Sequence, residues 1–291
     1  MSREFVRRRL GRRLGCVVGM EDLKIKVEKL AVRAINNRAR SKIKKQVEEP
    51  LNLLFYGPPG TGKTMFARLL AGCLYDVGIL KEEKVVEIQR DNVVAQYVGE
   101  SEKKMKKRIE DAAGGMMFID EAYSLFKGKS TKDFGVDIIN TLMHYLNGDS
   151  MRDTPVFVLA GYKAEMEKLL SANEGLLRRF REPWIFKPYT SQTLKQIVSK
   201  KLLKQGFHFE SDLDSDIISV IDSVPSRVRS QLNAGLCGRI VDYIKDSIDE
   251  RVCDPSDITE LFLVKKVDIC NVKEKLSVYM ESVTHESLNT D

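Results

Sequence analysis

The chain has 291 residues, 43% hydrophobic and 31% charged, which suits one large or two linked domains with a sizeable core. The net charge of +6 is mild and disfavours a nucleic-acid partner for the chain as a whole. No apolar run approaches the roughly 18 residues that cross a membrane, so we expect no membrane span. The five cysteines show no C-x-x-C spacing and no partnering histidine, which argues against a zinc site or disulfide framework and predicts a reducing compartment, the cytoplasm or an organelle stroma.

The chain begins with an arginine-rich stretch. Its members are Arg7, Arg8, Arg9, Arg12 and Arg13. A run of like charges is more often solvated than bound, so we interpret residues 1–16 as a basic tail. Contact with nucleic acid, with a membrane surface or with an acidic partner stays open, and so does a transit peptide. A transit peptide has little room, because the globular pattern begins near Val17.

A phosphate-binding pattern follows the first predicted strand. Residues 17–41 have the apolar spacing of a helix, and residues 51–56 form an apolar run typical of a buried strand. The loop after the strand fits G-x-x-x-x-G-K-[ST] and consists of Gly57, Pro58, Pro59, Gly60, Thr61, Gly62, Lys63 and Thr64. A helix over residues 65–74 completes the strand–loop–helix context that the motif requires.

The residue types of this loop suit a nucleoside triphosphate. Glycines let the backbone curl so that its N–H groups converge on phosphate oxygens, and the helix N-terminus adds a positive dipole end. Lys63 can reach the β- and γ-phosphates, and Thr64 can ligate Mg²⁺. We therefore predict that the loop binds ATP together with Mg²⁺.

Two carboxylates close the third predicted strand. Residues 84–89 are a second strand and residues 100–113 a charged helix, and an apolar run over residues 116–119 then leads into Asp120 and Glu121. A carboxylate at the end of this strand would lie near the loop and its metal, which is the role we predict for Asp120. Glu121, one residue further, is the candidate to orient and deprotonate the attacking water.

The remaining elements predict two domains. In chain order they are a helix over residues 134–146, a strand over 155–160, a helix over 165–171 and a strand over 184–186. Short apolar strands alternating with helices favour an α/β fold of the P-loop NTPase type, with a parallel five-stranded sheet flanked by helices. After Pro188 the pattern is helical only, and Thr190 can cap its first helix. We expect an α/β domain over residues 17–188 and a small all-helical domain over residues 189–291.

The order of these motifs resembles the AAA+ ATPases, and within them the family named for CbbX, CfxQ and SpoVK. The phrases that carry the resemblance, besides the phosphate loop, are Gln96-Tyr97-Val98-Gly99, Asp120-Glu121-Ala122-Tyr123, Leu159-Ala160-Gly161-Tyr162 and Gly175-Leu176-Leu177-Arg178-Arg179. They lie in a match that covers about residues 17 to 275. The resemblance implies an AAA+ module, in which the helical domain is a lid.

The resemblance also implies roles for residues on either side of the phosphate loop. Val18 and Gly19 correspond to the segment that walls the adenine site. Tyr97, with Val98 and Gly99, corresponds to a pore loop whose aromatic ring grips polypeptide. An ordinary turn and a partly buried core tyrosine are the respective alternatives.

Further roles that the resemblance implies concern arginines. Arg179 corresponds to the arginine finger that reaches the γ-phosphate of a neighbouring subunit, with Arg178 as its alternate, and a guanidinium suits that role. A surface ion pair is the alternative for both. Arg239 is our choice for the second sensor, against a solvent-facing helical arginine. At the first sensor position many AAA+ proteins have Asn, and Gly161-Tyr162 stands there, so the group that polarises the water is open.

The resemblance therefore predicts a homo-oligomer, a hexameric ring, that couples ATP hydrolysis to the remodelling of a protein client. A red-type Rubisco activase is one version of this function. The alternative is an ATP-dependent switch or loader that acts on a partner complex or DNA with little turnover. Glu121 disfavours the alternative, because a pure switch needs no group that activates water.

Overall fold

The structure is a computed structural model. It describes residues 3–44, 51–93, 100–126, 135–146, 153–252, 254 and 256–288. The chain folds into two compact units. Unit 1 comprises Met1–Pro58 and Gly62–Phe186, and unit 2 comprises Pro59–Thr61 and Lys187–Asp291. The helical part of unit 2 thus begins close to the boundary predicted at Pro188.

Unit 1 is an α/β layer structure. Its helices are α1 (Arg3–Leu14), α2 (Glu21–Lys44), α3 (Lys63–Asp76), α4 (Arg90–Val93), α5 (Glu100–Asp111), α6 (Gly135–Tyr145), α7 (Lys163–Ser171) and α8 (Glu174–Leu177). Its strands are β1 (Leu53–Tyr56), β2 (Val85–Ile88), β3 (Met116–Ile119), β4 (Val156–Gly161) and β5 (Trp184–Ile185). A turn of 3₁₀ helix, Ala122–Phe126, follows β3.

The five strands form one parallel sheet in the order β2-β3-β4-β1-β5. This confirms the predicted fold class. Strands β1, β3 and β4 are buried along their whole length, because helices cover both faces of the sheet and leave no polar side to the strand. Their apolar runs in the sequence are the direct result.

Alternate side chains of β1 enter two separate apolar clusters. Leu53 and Phe55 pack in the cluster that includes residues of α1, α2 and α3. Leu54 and Tyr56 pack in the cluster that includes residues of α5, α6 and α7. The separation follows from the period of two along a strand, which sends neighbouring residues to opposite faces. A packed core therefore lies against each face of the sheet at β1.

The arginine-rich start is a helix and not the predicted basic tail. Val6, Leu10 and Leu14 recur every four residues along α1 and are 2%, 0% and 5% exposed in the apolar cluster beneath the sheet. The arginines occupy the other sides of the helix, where Arg13 pairs with Asp76 and with a glutamate before β2. The interpretation as a tail was wrong because it weighed the charges and missed the apolar stripe between them.

Unit 2 is helical, with one small addition. Its elements are α9 (Ser191–Lys204), β6 (His208–Phe209), α10 (Asp214–Ser223), α11 (Ser226–Leu232), α12 (Ala234–Arg251), α13 (Ile258–Leu261), β7 (Leu263–Val264) and α14 (Lys266–Leu288). Thr190 caps α9 as predicted, since its side chain accepts a hydrogen bond from Thr193 N. The two-residue parallel pair of β6 and β7 was not predicted, because so short a strand carries no periodicity.

Within the described residues, no helix combines the length and the apolar character that a bilayer crossing demands.

Candidate functional site

The phosphate loop links the carboxyl end of β1 to the first turn of α3. Gly57 N donates to Gly161 O at 3.1 Å, which extends the β1–β4 pairing by one residue. A Cβ on Gly57 would lie 2.5 Å from Phe186 O, so only glycine fits there. Gly62 precedes α3 with φ 83°, a left-handed conformation that other residues rarely adopt. Both glycines are thus required by the path of the loop.

Lys63, the first residue of α3, has no carboxylate partner among the residues that the structure describes. Its Nζ donates to Gly57 O at 2.9 Å and to Pro58 O at 3.0 Å. Burial lowers the pKa of its ammonium group, and the charges of Asp120 and Glu121 oppose that shift. A half-buried cation that is held only by main-chain carbonyls is poorly compensated. This arrangement favours an anion that would take the place of the carbonyls.

Three main-chain carbonyls of the loop accept hydrogen bonds from residues of unit 2. Residues 59–61 belong to unit 2, where Asn233 Nδ2 donates to Pro59 O at 3.0 Å and Ala234 N donates to Gly60 O at 3.1 Å. The hydroxyl of Tyr189 donates to Thr61 O at 3.0 Å. Because the carbonyls are bonded to protein groups, the loop can turn its N–H groups to an anionic ligand.

Sequence reasoning missed Asn233 and Tyr189. Asn233 is fully buried, and its Oδ1 accepts a hydrogen bond from Tyr189 N at 3.2 Å. Its φ of 49° is one that asparagine tolerates better than most residues. The available signal was an asparagine just before α12, which reads as an ordinary helix cap and does not point to the phosphate loop.

Thr64 and Asp120 bring two hard oxygen ligands together. The Thr64 hydroxyl lies 3.5 Å from Asp120 Oδ2. The two residues meet because β1 and β3 are parallel strands of one sheet, so the loop after β1 and the residue after β3 lie at the same edge. A hydroxyl and a carboxylate are ligands that suit Mg²⁺, which completes its shell with water and phosphate oxygens. The residues present therefore fit the predicted metal.

Glu121 has an uncommon backbone conformation. Its φ is 46°, and its N–H donates to Asp120 Oδ1 at 3.0 Å. Left-handed backbone in a residue other than glycine costs about 1–3 kcal/mol and is concentrated at functional sites. The carboxylate is exposed and has no hydrogen-bond partner in the part of the chain that the structure describes. Glu121 is thus available to accept a proton from water.

Two groups of predicted site residues lie apart from this cluster in the chain. Val18 and Gly19 lie in the turn between α1 and α2, where Gly19 has φ 68°. Their adenine-site role stays a prediction. The pore-loop residues Tyr97, Val98 and Gly99 lie outside the described residues.

The three arginines with predicted roles each contact a residue of their own unit. Arg178 pairs with Glu174 at 3.3 Å, and both side chains are about four-fifths exposed, at 79% and 81%. Arg179 Nη1 donates to Gly175 O at 2.7 Å. Arg239, in α12, lies with its guanidinium carbon 4.0 Å from the centre of the Tyr279 ring. The finger and sensor roles of these residues stay predictions.

Similar proteins identify the family of this chain. Residues 53–186 match the family described as ATPase family associated with various cellular activities (AAA). The crystal structure of the FIGL-1 AAA domain resembles this chain with a TM-score of 0.59 at 22% identity, and the match covers 89% of this chain and 81% of that one. At that identity the likeness shows the fold alone.

Three curated relatives are more similar in sequence. One is the ESX-3 secretion system protein EccA3 of Mycobacterium tuberculosis, which is 33% identical over 230 residues. The match covers 77% of this chain but only 35% of the length of EccA3. The chloroplastic ribulose bisphosphate carboxylase/oxygenase activase of Cyanidioschyzon merolae is 32% identical over 206 residues, 70% of each chain. A CfxQ homolog of Cyanidium caldarium is 32% identical over 206 residues, 70% of this chain and 71% of that one. The chain therefore belongs to the AAA ATPases and, within them, to the CbbX/CfxQ type.

Proposed function

We propose that the chain hydrolyses ATP with Mg²⁺ and uses the reaction, as a member of an oligomeric ring, to remodel a protein client. The observation that carries the catalytic part is the convergence at one sheet edge of three features: the Lys63 ammonium, an oxygen pair 3.5 Å apart and the Glu121 carboxylate. Within the described ranges, neither the ammonium nor the Glu121 carboxylate forms an ion pair. Each of the three suits a different part of Mg-ATP.

The residues would act in sequence at that edge. Lys63 Nζ leaves the carbonyls of Gly57 and Pro58 and donates to β- and γ-phosphate oxygens. Thr64 and Asp120 would hold Mg²⁺, which would neutralise charge on the phosphate oxygens. Glu121 takes the proton of the attacking water. The family resemblance supplies the remaining group, Arg179 of a neighbouring subunit.

The test of turnover uses Glu121→Gln with Glu110→Gln as the matched control. Glu110 is an exposed glutamate of α5, so its amide variant changes the charge equally and leaves the site intact. Glu121→Gln should bind ATP as the wild type does and release phosphate at less than about a tenth of the wild-type rate, since a general base contributes about 10²–10⁴-fold. Glu110→Gln should be unchanged in both. Turnover above a tenth in Glu121→Gln would remove this residue from its role.

The trans role of Arg179 is tested by mixing variants. Arg179→Ala should lose turnover but bind ATP, whereas Arg178→Ala should retain turnover. Mixed Arg179→Ala and Lys63→Ala subunits should regain part of the activity, because one supplies the loop and the other supplies the guanidinium. Loss of turnover in Arg178→Ala alone would exchange the two assignments.

The protein client is proposed from the relatives. One is named as a Rubisco activase and another as a component of a secretion system, and Rubisco is therefore one candidate. Tyr97 is the proposed gripping residue, because an aromatic ring holds polypeptide through apolar contact without reading its sequence. Tyr97→Ala should keep basal ATPase activity and thermal stability and lose client-stimulated activity, and Tyr97→Phe should keep all three. A salt-dependent shift on DNA without stimulation by any polypeptide would favour the loader instead.

A further inference from the structure

Three successive carbonyls of the phosphate loop, those of residues 59–61, are held by one group of donors in unit 2. The donors, at 3.0, 3.1 and 3.0 Å, are Asn233 Nδ2, Ala234 N and the Tyr189 hydroxyl. Because a peptide unit is planar and trans, its N–H points away from its carbonyl. The N–H groups of residues 60–62 are therefore turned away from these donors.

The N–H groups on the far side of these peptide units can serve a ligand. Within the described ranges, neither the N–H of Gly60 nor that of Gly62 donates to a protein acceptor. Successive N–H groups that converge in this way form a concavity that binds anions. The three carbonyl contacts thus determine which side of the loop faces the phosphates.

Close packing holds the loop against the donors as well. A Cβ added to Gly60 would lie 2.3 Å from Leu232 O and 3.3 Å from Asn233 Cβ, and the first of these distances is shorter than real Cβ contacts. Gly60 also has φ 68°, which other residues rarely adopt. The main chain of residue 60 therefore approaches the connection between α11 and α12 as closely as only glycine permits. Hydrogen bonds and packing agree on one position of the loop.

The side chain of Asn233 joins the donors to one another. Asn233 is fully buried, and its Nδ2 donates to Ser230 O at 2.6 Å in addition to Pro59 O. Its Oδ1 accepts a hydrogen bond from Tyr189 N at 3.2 Å. Both N–H groups and the oxygen of the amide are thus used, and a buried amide that is fully satisfied is rigid. One side chain fixes the loop directly and also fixes the residue whose hydroxyl binds the loop.

We propose that Asn233 and Tyr189 are positioning residues for nucleotide binding, which hold the carbonyls of residues 59–61 so that the loop presents its N–H groups before ATP arrives. The inference rests on the proposed ATPase function and adds two residues that act through the loop. Without these hydrogen bonds the free loop would adopt further conformations, and the apparent affinity falls with the fraction of molecules that remain competent to bind. The effect is therefore on ATP affinity and not on the chemical step.

The variant Tyr189→Phe removes one of the three hydrogen bonds. It keeps the ring, which packs against the apolar cluster of unit 2, so the fold should be retained. The Kd for ATP should rise about threefold to tenfold, the effect of one hydrogen bond, while kcat at saturating Mg-ATP stays within about twofold. The matched control is Tyr243→Phe, a half-buried tyrosine of α12 that packs against the same cluster. Its ATP affinity, measured by titration calorimetry, should equal that of the wild type.

The variant Asn233→Ala removes more of the arrangement, since it loses the bond to Pro59 O and the bond that fixes Tyr189. The Kd for ATP should rise more than about tenfold. The melting temperature should also fall, because buried partners lose their hydrogen bonds, so affinity is measured where the variant is folded. The matched control is Asn52→Ala, because Asn52 is 1% exposed and its Nδ2 donates to two main-chain carbonyls of unit 1. That variant should lose stability and keep the wild-type ATP affinity.

The controls separate positioning from a structural role. Wild-type ATP affinity in Tyr189→Phe would overturn the proposal, and so would equal losses of affinity in Asn233→Ala and Asn52→Ala. Lys63→Ala separates the proposal from the function beneath it. If Lys63→Ala binds ATP as the wild type does, the loop does not bind the phosphates and both are wrong. If Lys63→Ala loses ATP and Tyr189→Phe binds it normally, the proposed ATPase function stands and the inference about the positioning residues alone is overturned.

Discussion

The two ends of α3 hold cations in opposite ways. At the carboxyl end, Arg13 donates to both oxygens of Asp76 at 2.6 and 3.2 Å and to both oxygens of Glu83 at 2.6 and 2.8 Å. Arg9 donates to the Asp76 main-chain oxygen at 2.9 Å. At the amino end, Lys63 donates to the main-chain carbonyls of Gly57 and Pro58, and the described part of the chain offers it no carboxylate. One cation is compensated by the protein and the other is not.

The pKa shifts of the two cations follow from these partners. The hydrogen bonds that Arg13 donates to Asp76 and to Glu83 raise the pKa of its guanidinium well above the usual value, against the effect of burial. Burial lowers the pKa of Lys63. An aspartate at a helix carboxyl end is unfavourable to the helix dipole, and the arginines of α1 offset that effect. The carboxyl end is thus a completed structural contact, whereas the amino end has the features of a site that an anionic ligand would complete.

The largest expected effect is on the amino end. Lys63→Ala should weaken ATP binding more than about 100-fold, because it removes two charge-assisted hydrogen bonds to phosphate of about 1.5–3 kcal/mol each. The ligand-free protein should be as stable as the wild type or more so, since a poorly compensated cation is removed. Titration calorimetry with ATP and urea unfolding measure the two quantities. Wild-type affinity in this variant would show that the loop does not bind the phosphates.

The next effect concerns the apolar face of α1. Leu10 is fully buried beneath the sheet, so Leu10→Ala should lower the free energy of unfolding by about 2–5 kcal/mol. ATP affinity at a temperature where the variant is folded should not change, because Leu10 lies in the core and far along the chain from the loop. Urea unfolding measures the loss. A loss below about 1 kcal/mol would mean that α1 detaches easily and that the tail interpretation was nearer the truth.

The ion pairs of Arg13 should contribute less than Leu10. Arg13→Ala should cost about 1–3 kcal/mol, because the side chain is 31% exposed and its loss leaves two carboxylates unpaired. The matched control is Arg7→Ala on the same helix. The Arg7 side chain pairs with Glu28 and is 75% exposed. That variant should lie within about 0.5 kcal/mol of the wild type. Equal losses in the two variants would contradict the specific role of Arg13.

The smallest effect is a gain in stability. Gly11 lies on the exposed side of α1, and a Cβ added there meets nothing within 4 Å. Gly11→Ala should stabilise the protein by about 0.5–1 kcal/mol if residues 3–14 are helical in solution, because alanine loses less conformational freedom in a helix. Urea unfolding at two pH values would measure this change in the free energy of unfolding. No change or a loss of stability would indicate that this segment is not helical.

The amino end of α3 could be predicted from the sequence and its carboxyl end could not. The phosphate loop is contiguous, and Asp120 follows a strand whose parallel neighbour ends at the same edge, so chain order alone brings the carboxylate to Thr64. The partners of Arg13 are 63 and 70 residues away, and no local pattern identifies them. The contact of Tyr123 with Gly161 depends on the shape of a turn after β3. It could not be predicted either, because no local pattern identifies it.

The most direct measurement is the rise in melting temperature that Mg-ATP produces in the wild type, in Arg13→Ala and in Lys63→Ala. A ligand that binds the folded state alone stabilises it by RT ln(1 + [L]/Kd), where [L] is the concentration of free ligand. Arg13→Ala should start lower than the wild type and gain as much from ATP. Lys63→Ala should start at the wild-type temperature or above it and gain nothing. A wild-type gain in Lys63→Ala, or none in Arg13→Ala, would contradict the division of α3 into a ligand-binding end and a structural end.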